Sequence, residues 1–461
     1  MPKRTSAAKR SPKGKPQRPL RFAIVTLDSH LAGAVSHARE QFERDGLNVE
    51  LSMHCAAEWG DDSQALDRGH EAIAAADIIV VNMLFLEDHI QAVLPQLKAR
   101  REDCAAMVCS MAAAEVTKLT RMGRFSMDGS AKGPMALLKK LKPKKTSNQS
   151  SAGASQMGLL RRLPAILRFI PGTAQDVRAY FLTLQYWLAG SNENVVEMVR
   201  FLIDRYASGE HQHLRGATKS QAPMNYPEVG VYHPAIPERM TADASRLPRD
   251  DQAKGTVGLL VLRSYVLAGN TGHYDGVIEA LEATGLRVVP AFASGLDARP
   301  AMEQYFLDRK GEATVDVVVS LTGFSLVGGP AYNDADAAAA ILARLDVPYV
   351  ACHPVEFQTI EQWEASDRGL QPVEATMMVA IPELDGATAP TLFGGRRSVE
   401  GERDRAMSVH PERAQRLAAR VARLVQLRRT PRAQRRLAVV LFNFPPNGGS
   451  VGTAAYLSVF E

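Results

Sequence analysis

The sequence predicts an α/β chain of successive open parallel-sheet (Rossmann-like) domains with a helical insertion, ending at the start of a further α/β unit. Three observations predict it. Short runs rich in Val, Ile and Leu recur along the 461 residues and read as strands buried on both faces. Stretches with apolar residues at helical spacing separate these runs, and alternation of the two implies right-handed crossovers and a parallel sheet. Several of the runs end in polar, glycine-bearing turns at the carboxyl edge, where open α/β sheets bind their ligands.

In chain order, Arg21 to Thr26 is the first expected strand, and Ala32 to Arg44 is the helix after it, closed by Gly46. Leu47 to His54 alternates like a second strand, and a helix from about Asp62 to Ala75 leads to the β-branched run Ala76 to Phe85. Glu87, Asp88 and His89 open a helix ending near Arg101, where the helix dipole accounts for the two carboxylates. A short strand, Ala105 to Cys109, precedes a helix from Ala112 to Met122 stopped by Gly123. The Lys-, Ser- and Gly-rich stretch at 129–160 reads as a flexible basic linker. Ala174 to Leu188 and Val195 to Tyr206, each with one apolar face, form an αα-hairpin with Ser191 or Asn192 as the cap between them. His211 and His213 beyond it read as exposed loop residues, and Pro223 to Met240 as an extended connector.

A second unit opens at Val257 to Leu262, a strand followed by the turn Gly269 to Gly272 and a helix starting near His273, Tyr274 and Asp275. Leu286 to Phe292, Val315 to Leu321 and Val347 to Ala351 are its further strands, with helices at Pro300 to Leu307 and Asp334 to Leu345. Loops are expected at Thr322 to Pro330 and at Cys352 to Thr359. A basic helix spans Arg403 to Arg429, and Leu437 to Phe442 begins another strand with a Gly-rich loop and incipient helix behind it, repeating the plan of Leu259 to Asp275. The domains are thus a basic disordered tail at 1–20, an α/β domain at 21–128, the linker at 129–160, the hairpin and connector at 161–250, a second α/β domain at 251–430, and a truncated third unit at 431–461.

The formal charge is +5, from 55 Lys and Arg against 50 Asp and Glu. Residues 1–21 hold eight of the basic residues and the stretch between Asp128 and Asp176 nine, neither with an acid; the remainder has 38 basic against 50 acidic residues, a net of −12. An acidic body argues against nucleic acid as a partner. The tail lacks the apolar segment of a secretory signal, and no stretch reaches the roughly 18 apolar residues of a membrane span. The basic segments suit peripheral contact with anionic lipid, which fits a cytoplasmic protein touching a membrane surface. Cys55, Cys104, Cys109 and Cys352 form no CxxC pair, so reduced, buried thiols are expected.

No Walker loop, GxGxxG, HExxH or EF-hand loop occurs. GGSVG at Gly448 to Gly452 has the letters of a nucleophile elbow, but NFPPN separates Ser450 from the strand, so a Gly-rich loop is the plainer reading. The side chains best placed for chemistry are His273, His353 and Glu356, with Asn270, Thr271, Tyr274, Gln358 and Thr359 as substrate-binding candidates; a loop-stabilising network is the plainer account of all of them. No metal ligands stand out.

Five ordered blocks look familiar: RFAIVTLDSHLAGAV from Arg21, ADIIVVNMLFLEDHI from Ala76, AAEVTKLTRMGRFSM from Ala113, LAGNTGHYDGVI from Leu267 and LFNFPPNGGSVGTAAYL from Leu441. Together they resemble the large H subunits of magnesium chelatase, within the wider cobaltochelatase large-subunit family; the likeness runs from about Leu20 to the end and loosens only at Ser130 to Gly158. The first three blocks resemble the extension of the magnesium branch. The resemblance implies ATP-dependent insertion of Mg²⁺ into protoporphyrin IX for (bacterio)chlorophyll biosynthesis. It also implies that this polypeptide holds the porphyrin while the I and D subunits, an AAA+ ATPase motor, hydrolyse ATP, in keeping with the missing Walker loop. Members of the family are much longer, so the chain reads as an N-terminal portion, inactive alone. A non-catalytic tetrapyrrole-binding or scaffolding fragment is the alternative, and a glycosyltransferase-like two-domain enzyme is suggested by architecture alone.

Overall fold

The computed structural model describes residues 18–27, 29–60, 62–128, 163–216, 219–329, 332–397 and 406–438. The expected linker at 129–160 and the strand, loop and Ser450 after Leu437 lie almost wholly outside them.

The first sheet has the order β2-β1-β3-β4-β5-β6, built from β1 (Leu20–Thr26), β2 (Val49–Cys55), β3 (Ile78–Asn82), β4 (Ala106–Ser110), β5 (Arg121–Met122) and β6 (Phe125–Ser126). β1 to β4 are parallel, with Phe22 level with Ile78 and Val80 level with Val108. Because successive strand residues point to opposite faces, Ala23, Val25, Ile79 and Val81 pack under the helices Ser63–Ala75 and Glu87–Arg100, while Phe22, Ile24, Val80 and Val108 face the other way. All five residues of β3 are buried, as a strand covered on both sides must be.

The helix expected at Ala112 to Met122 shrinks to Ala114–Thr117, and Arg121–Met122 and Phe125–Ser126 form an antiparallel hairpin instead. Thr120 is the cause. Its buried hydroxyl accepts from the Cys109 N–H at 3.1 Å and donates to the Cys109 carbonyl at 3.0 Å, pulling the chain onto the edge of β4, and Gly123 at φ +57° makes the turn. The helical pair Thr173–Leu188 and Asn192–Tyr206 forms as expected, with the Ser191 hydroxyl accepting from the Asn194 N–H. It does not stand apart with the connector. Val177, Tyr180, Val195, Val199 and Leu202 share a core with Phe22, Val80 and the helix Ala32–Arg44, giving the first sheet its second cover.

The second sheet has the order β16-β15-β14-β11-β9-β10-β7-β8. Its strands are β7 (Val229–Tyr232), β8 (Met240–Thr241), β9 (Thr256–Leu260), β10 (Arg287–Ala293), β11 (Val317–Ser320), β14 (Tyr349–Thr359), β15 (Thr388–Arg396) and β16 (Met407–Val409); β12 (Gly328–Gly329) and β13 (Tyr332–Asn333) make a separate ribbon within the expected loop after β11. The run β10-β9-β11-β14-β15 is parallel, so the strand order reverses between β9 and β11. The Pro-rich connector is not free of the sheet: β7 pairs antiparallel with β10 and covers its open edge. The basic helix starts at Pro411, not Arg403, with His410 capping it and β16 before it; Pro suits the first helical position because it has no N–H to leave unpaired.

The largest departure is β14. The loop expected at Cys352 to Thr359 is strand, and all 11 residues of β14 are buried. Its pairing with β15 shifts register repeatedly, and Glu374 substitutes for the missing ladder by accepting from the N–H groups of Glu356 and Phe357, each at 3.1 Å. Polar letters made the segment look like a loop; Glu356, Gln358 and Thr359 find partners inside the fold, while His353 Nδ1 has none among the described residues.

Candidate functional site

Loops from the carboxyl edges of both parallel sheets meet in a buried seam between the two units. From the first unit come His30, after β1, and the turn Ala56–Glu58, after β2. The second unit contributes Tyr265 from the short helix Arg263–Leu267, Phe357 from β14, Met378 from the helical run 372–384, and Arg396 at the end of β15. Ala57, Phe357 and Met378 make an apolar contact backed by Leu27 and Leu86. The His30 ring meets Tyr265 edge-on at 6.3 Å, and Trp187 at 6.0 Å. Arg396, 2% exposed, donates from Nη1 to Glu58 Oε1 at 3.2 Å.

Tyr265 is the pivot on the second side: its hydroxyl donates to Glu356 Oε1 at 2.9 Å, and its ring lies 5.1 Å from His273. At the switch between β9 and β11, a narrow pocket of ≈ 20 Å³ is lined by Leu260 to Leu262, Ala291 to Ala293, Asp297, Thr322 and Phe324 to Leu326, among others. Among the described residues no three His, Cys, Asp or Glu side chains gather in a way that could hold a metal ion.

The residues singled out in the sequence lie inside the second unit rather than on its rim. His273 is fully buried, its ring tilted against Tyr274 at 3.8 Å and stacked on Phe393 at 5.7 Å, and neither ring nitrogen has a hydrogen-bond partner. The Tyr274 hydroxyl accepts from the Leu262 N–H at 3.3 Å, and burial drives its pKa up. Asn270 Oδ1 accepts from the Met407 N–H at 2.9 Å and so ties the turn to β16. Thr271 and Asp275 both accept from Arg239 Nη2 at 2.7 Å, with Tyr232 donating to the same carboxylate. Gln358 donates to Glu374 Oε2 at 2.6 Å, and Thr359 caps the helix Ile360–Ala365 in a capping box with Gln362. Tyr265 brings His273 and Glu356 together; His353, 4% exposed on β14, takes part in neither contact.

His211 is 2% exposed rather than a loop histidine at the surface, with Nε2 3.5 Å from Asp77 Oδ2, while His213 is exposed as expected. Glu87 and Asp88 are exposed in the first turn of their helix, and His89 sits edge-on to Trp59 at 6.0 Å, its pKa lowered by burial. All four cysteines are buried and none is in a disulfide.

His30, Glu58, Tyr265 and Arg396 carry the seam and Glu374 holds β14 beside it, and the sequence alone does not mark them. Neither periodicity nor spacing singles them out. The one local signal is Arg396 itself, a charge at the end of the apolar run TLFGGR.

Burial gives the second unit a defined acid response. It pushes His273 down to about 3 and His353 down to about 4, from 6.5. Both rings are neutral in the folded chain, so below pH 6.5 the unfolded chain takes up protons that the folded chain refuses. Stability is therefore complete above that pH and falls as pH drops toward 4, by about 1.4 kcal/mol per unit for each ring. Urea midpoints between pH 7.5 and 4.5 should show this slope, and His273→Phe should reduce it by about half; an unchanged slope in the variant would assign the acid response elsewhere.

The model of the family described as CobN/Magnesium Chelatase matches residues 184–461, and a second model, described only as a domain of unknown function, matches 21–181. The magnesium-chelatase H subunit of Cereibacter sphaeroides is 52% identical over 454 residues, which are 95% of this chain and 38% of that protein. Its counterpart in Rhodobacter capsulatus is 47% identical over 97% of this chain and 38% of its own length. The chloroplastic magnesium-chelatase ChlH polypeptide of Oryza sativa subsp. japonica is 36% identical over 84% of this chain and 28% of its own length. Among solved structures, the catalytic subunit of cobaltochelatase from Mycobacterium tuberculosis aligns with TM-score 0.47 and 19% identity, covering 91% of this chain and 28% of that one. The chain spans about 38% of the length of the two bacterial relatives.

Proposed function

The chain belongs to the CobN/magnesium chelatase family, and from that premise we propose that it is the N-terminal part of a porphyrin-holding H subunit, serving the ATP-dependent insertion of Mg²⁺ into protoporphyrin IX for (bacterio)chlorophyll biosynthesis. The observation that carries this reading is identity to H-subunit relatives sustained along nearly the whole chain. In this reading ATP is hydrolysed by the separate I and D subunits, which are AAA+ ATPases, and Mg²⁺ and porphyrin are substrates. Mg²⁺ gives up its waters reluctantly and takes oxygen ligands, so insertion requires oxygen donors to replace water and bases to remove two pyrrole protons. His273, His353 and Glu356 serve that step indirectly, by fixing the interior of the second unit. Among the described residues no helix is long and apolar enough to cross a membrane, and the reading places the protein in the cytoplasm with peripheral membrane contact.

Titration of the purified chain with protoporphyrin IX, read by quenching of Trp59, Trp187 and Trp363, should give saturable binding; a flat response removes porphyrin binding from this chain. The I and D subunits with Mg²⁺ and ATP are then added. A magnesium-porphyrin spectrum would show that the chain suffices for insertion, whereas bound but unmetallated porphyrin would show a holding role that needs the rest of the full-length polypeptide.

A further inference from the structure

We propose that the groove between the helix Pro411–Arg429 and the leading end of β15 is a docking seat for an acidic amphipathic helix of a partner polypeptide. This inference is independent of the porphyrin reading. The helix follows the pattern of its sequence: Ala414, Leu417, Ala418, Val421 and Val425 bury one face against the second sheet. Arg416, Arg420, Arg423 and Leu427 recur at spacings of four, three and four, so they form a second stripe beside the buried one. That stripe lines an open groove of ≈ 620 Å³ with Leu392, Leu417 and Leu424 at its base.

Three features define the occupant. The first is charge: outside the two basic segments the chain nets −12, so the arginine stripe is a local reversal that attracts an acidic partner and repels a second copy of the body. Length is the second. The stripe covers about three helical turns, roughly 16 Å, too long for a single phosphate or carboxylate and matched to carboxylates repeating along a helix. The third is shape. Leu417 and Leu392, 1% and 7% exposed, are buried beneath the groove, so the apolar surface open to a partner is the half-buried Leu424 together with Leu427, 52% exposed. A membrane-binding face needs a broad outward apolar surface, whereas two leucines one turn apart among arginines match the narrow apolar stripe of an amphipathic helix.

The arginines are partly prepared for this. Arg420 Nη1 donates to the Ala389 carbonyl at 3.1 Å and to Thr391 Oγ1 at 3.3 Å, which fixes its guanidinium over the groove. Arg416 pairs with Glu412, an exposed partner one turn earlier that an incoming carboxylate can replace. Arg423 has no hydrogen-bond or ion-pair partner among the described residues.

The probe is a fluorescein-labelled peptide of roughly 18 residues with Leu and Glu at helical spacing, followed by fluorescence anisotropy on the intact chain. Saturable binding is expected, weakened about tenfold or more in the double variant R416E/R423E and reduced in Leu427→Asp. A scrambled peptide of the same composition should bind far less. All three substituted positions are exposed, and unchanged melting would confirm that the variants fold. Equal affinity of the double variant, equal binding of the scrambled peptide, or no binding of the ordered one overturns the proposal. So does sedimentation with phosphatidylglycerol vesicles that depends on the arginines while the peptide stays free, because it would assign the groove to lipid.

Discussion

Glu58→Ala is expected to destabilise the chain by about 3–5 kcal/mol, the cost of stranding a buried charge. Arg396 is 2% exposed, its Nε already lacks a partner, and Glu58 supplies its ion pair at 3.2 Å. The carboxylate is less enclosed, its side chain being 18% exposed, and that asymmetry makes the pair informative. Removing the guanidinium leaves a carboxylate that water can reach, so Arg396→Met, which keeps the apolar stem, should cost clearly less than Glu58→Ala. The double variant should recover most of the loss, since replacing both members of a buried pair with apolar groups is often neutral. Urea unfolding of the four members of this cycle gives the coupling directly. Equal and additive single effects would mean that Arg396 is solvated in a way its burial does not allow.

Glu374→Ala should have an effect of similar size, about 3–5 kcal/mol, for a different reason. This fully buried carboxylate accepts from the backbone N–H groups of Glu356, Phe357 and Gln371 and from Gln358 Nε2. Truncation orphans four donors, each costing about 1–3 kcal/mol when left dry, partly relieved by local relaxation. Hydrogen exchange locates the loss. The amides of Glu356 and Phe357 should lose protection in the variant, while those of β9 and β11 keep theirs; uniform loss across the sheet would indicate global unfolding rather than a local ladder failure.

The parallel strands β1, β3, β4, β9, β10 and β11 were legible in the sequence because a strand covered on two sides must be apolar throughout, and Ile78 to Val81 and Val317 to Val319 satisfy that condition; β15 and β16 were not, because TAPTLFGGR opens on exposed residues and Met407–Val409 lies in a run read as helix. The helical pair was legible through its apolar faces; its packing partner was not, because a face states that it is buried and not against what. The hairpin at Arg121 to Ser126 was hidden by one threonine whose hydroxyl bonds across to β4. β14 was misread because letters such as His353, Glu356 and Gln358 resemble a polar loop until Glu374 and Tyr265, distant in sequence, are placed beside them. The same reason explains the candidate site. His273 is chemically prominent as a letter, yet its surroundings make it a core ring, and the charged contact between the two units joins two residues 338 positions apart.

Past Ala351, β14 has outrun β11 and keeps β15 as its ladder neighbour, yet it stays dry to its end because the turn at Ala57 and the run at 372–384 close over it. Its solvation is thus shared property of both halves of the molecule. A boundary drawn near residue 250 separates two topologies yet leaves them coupled at that strand: losing the first half would uncover Phe357 and leave Arg396 without Glu58.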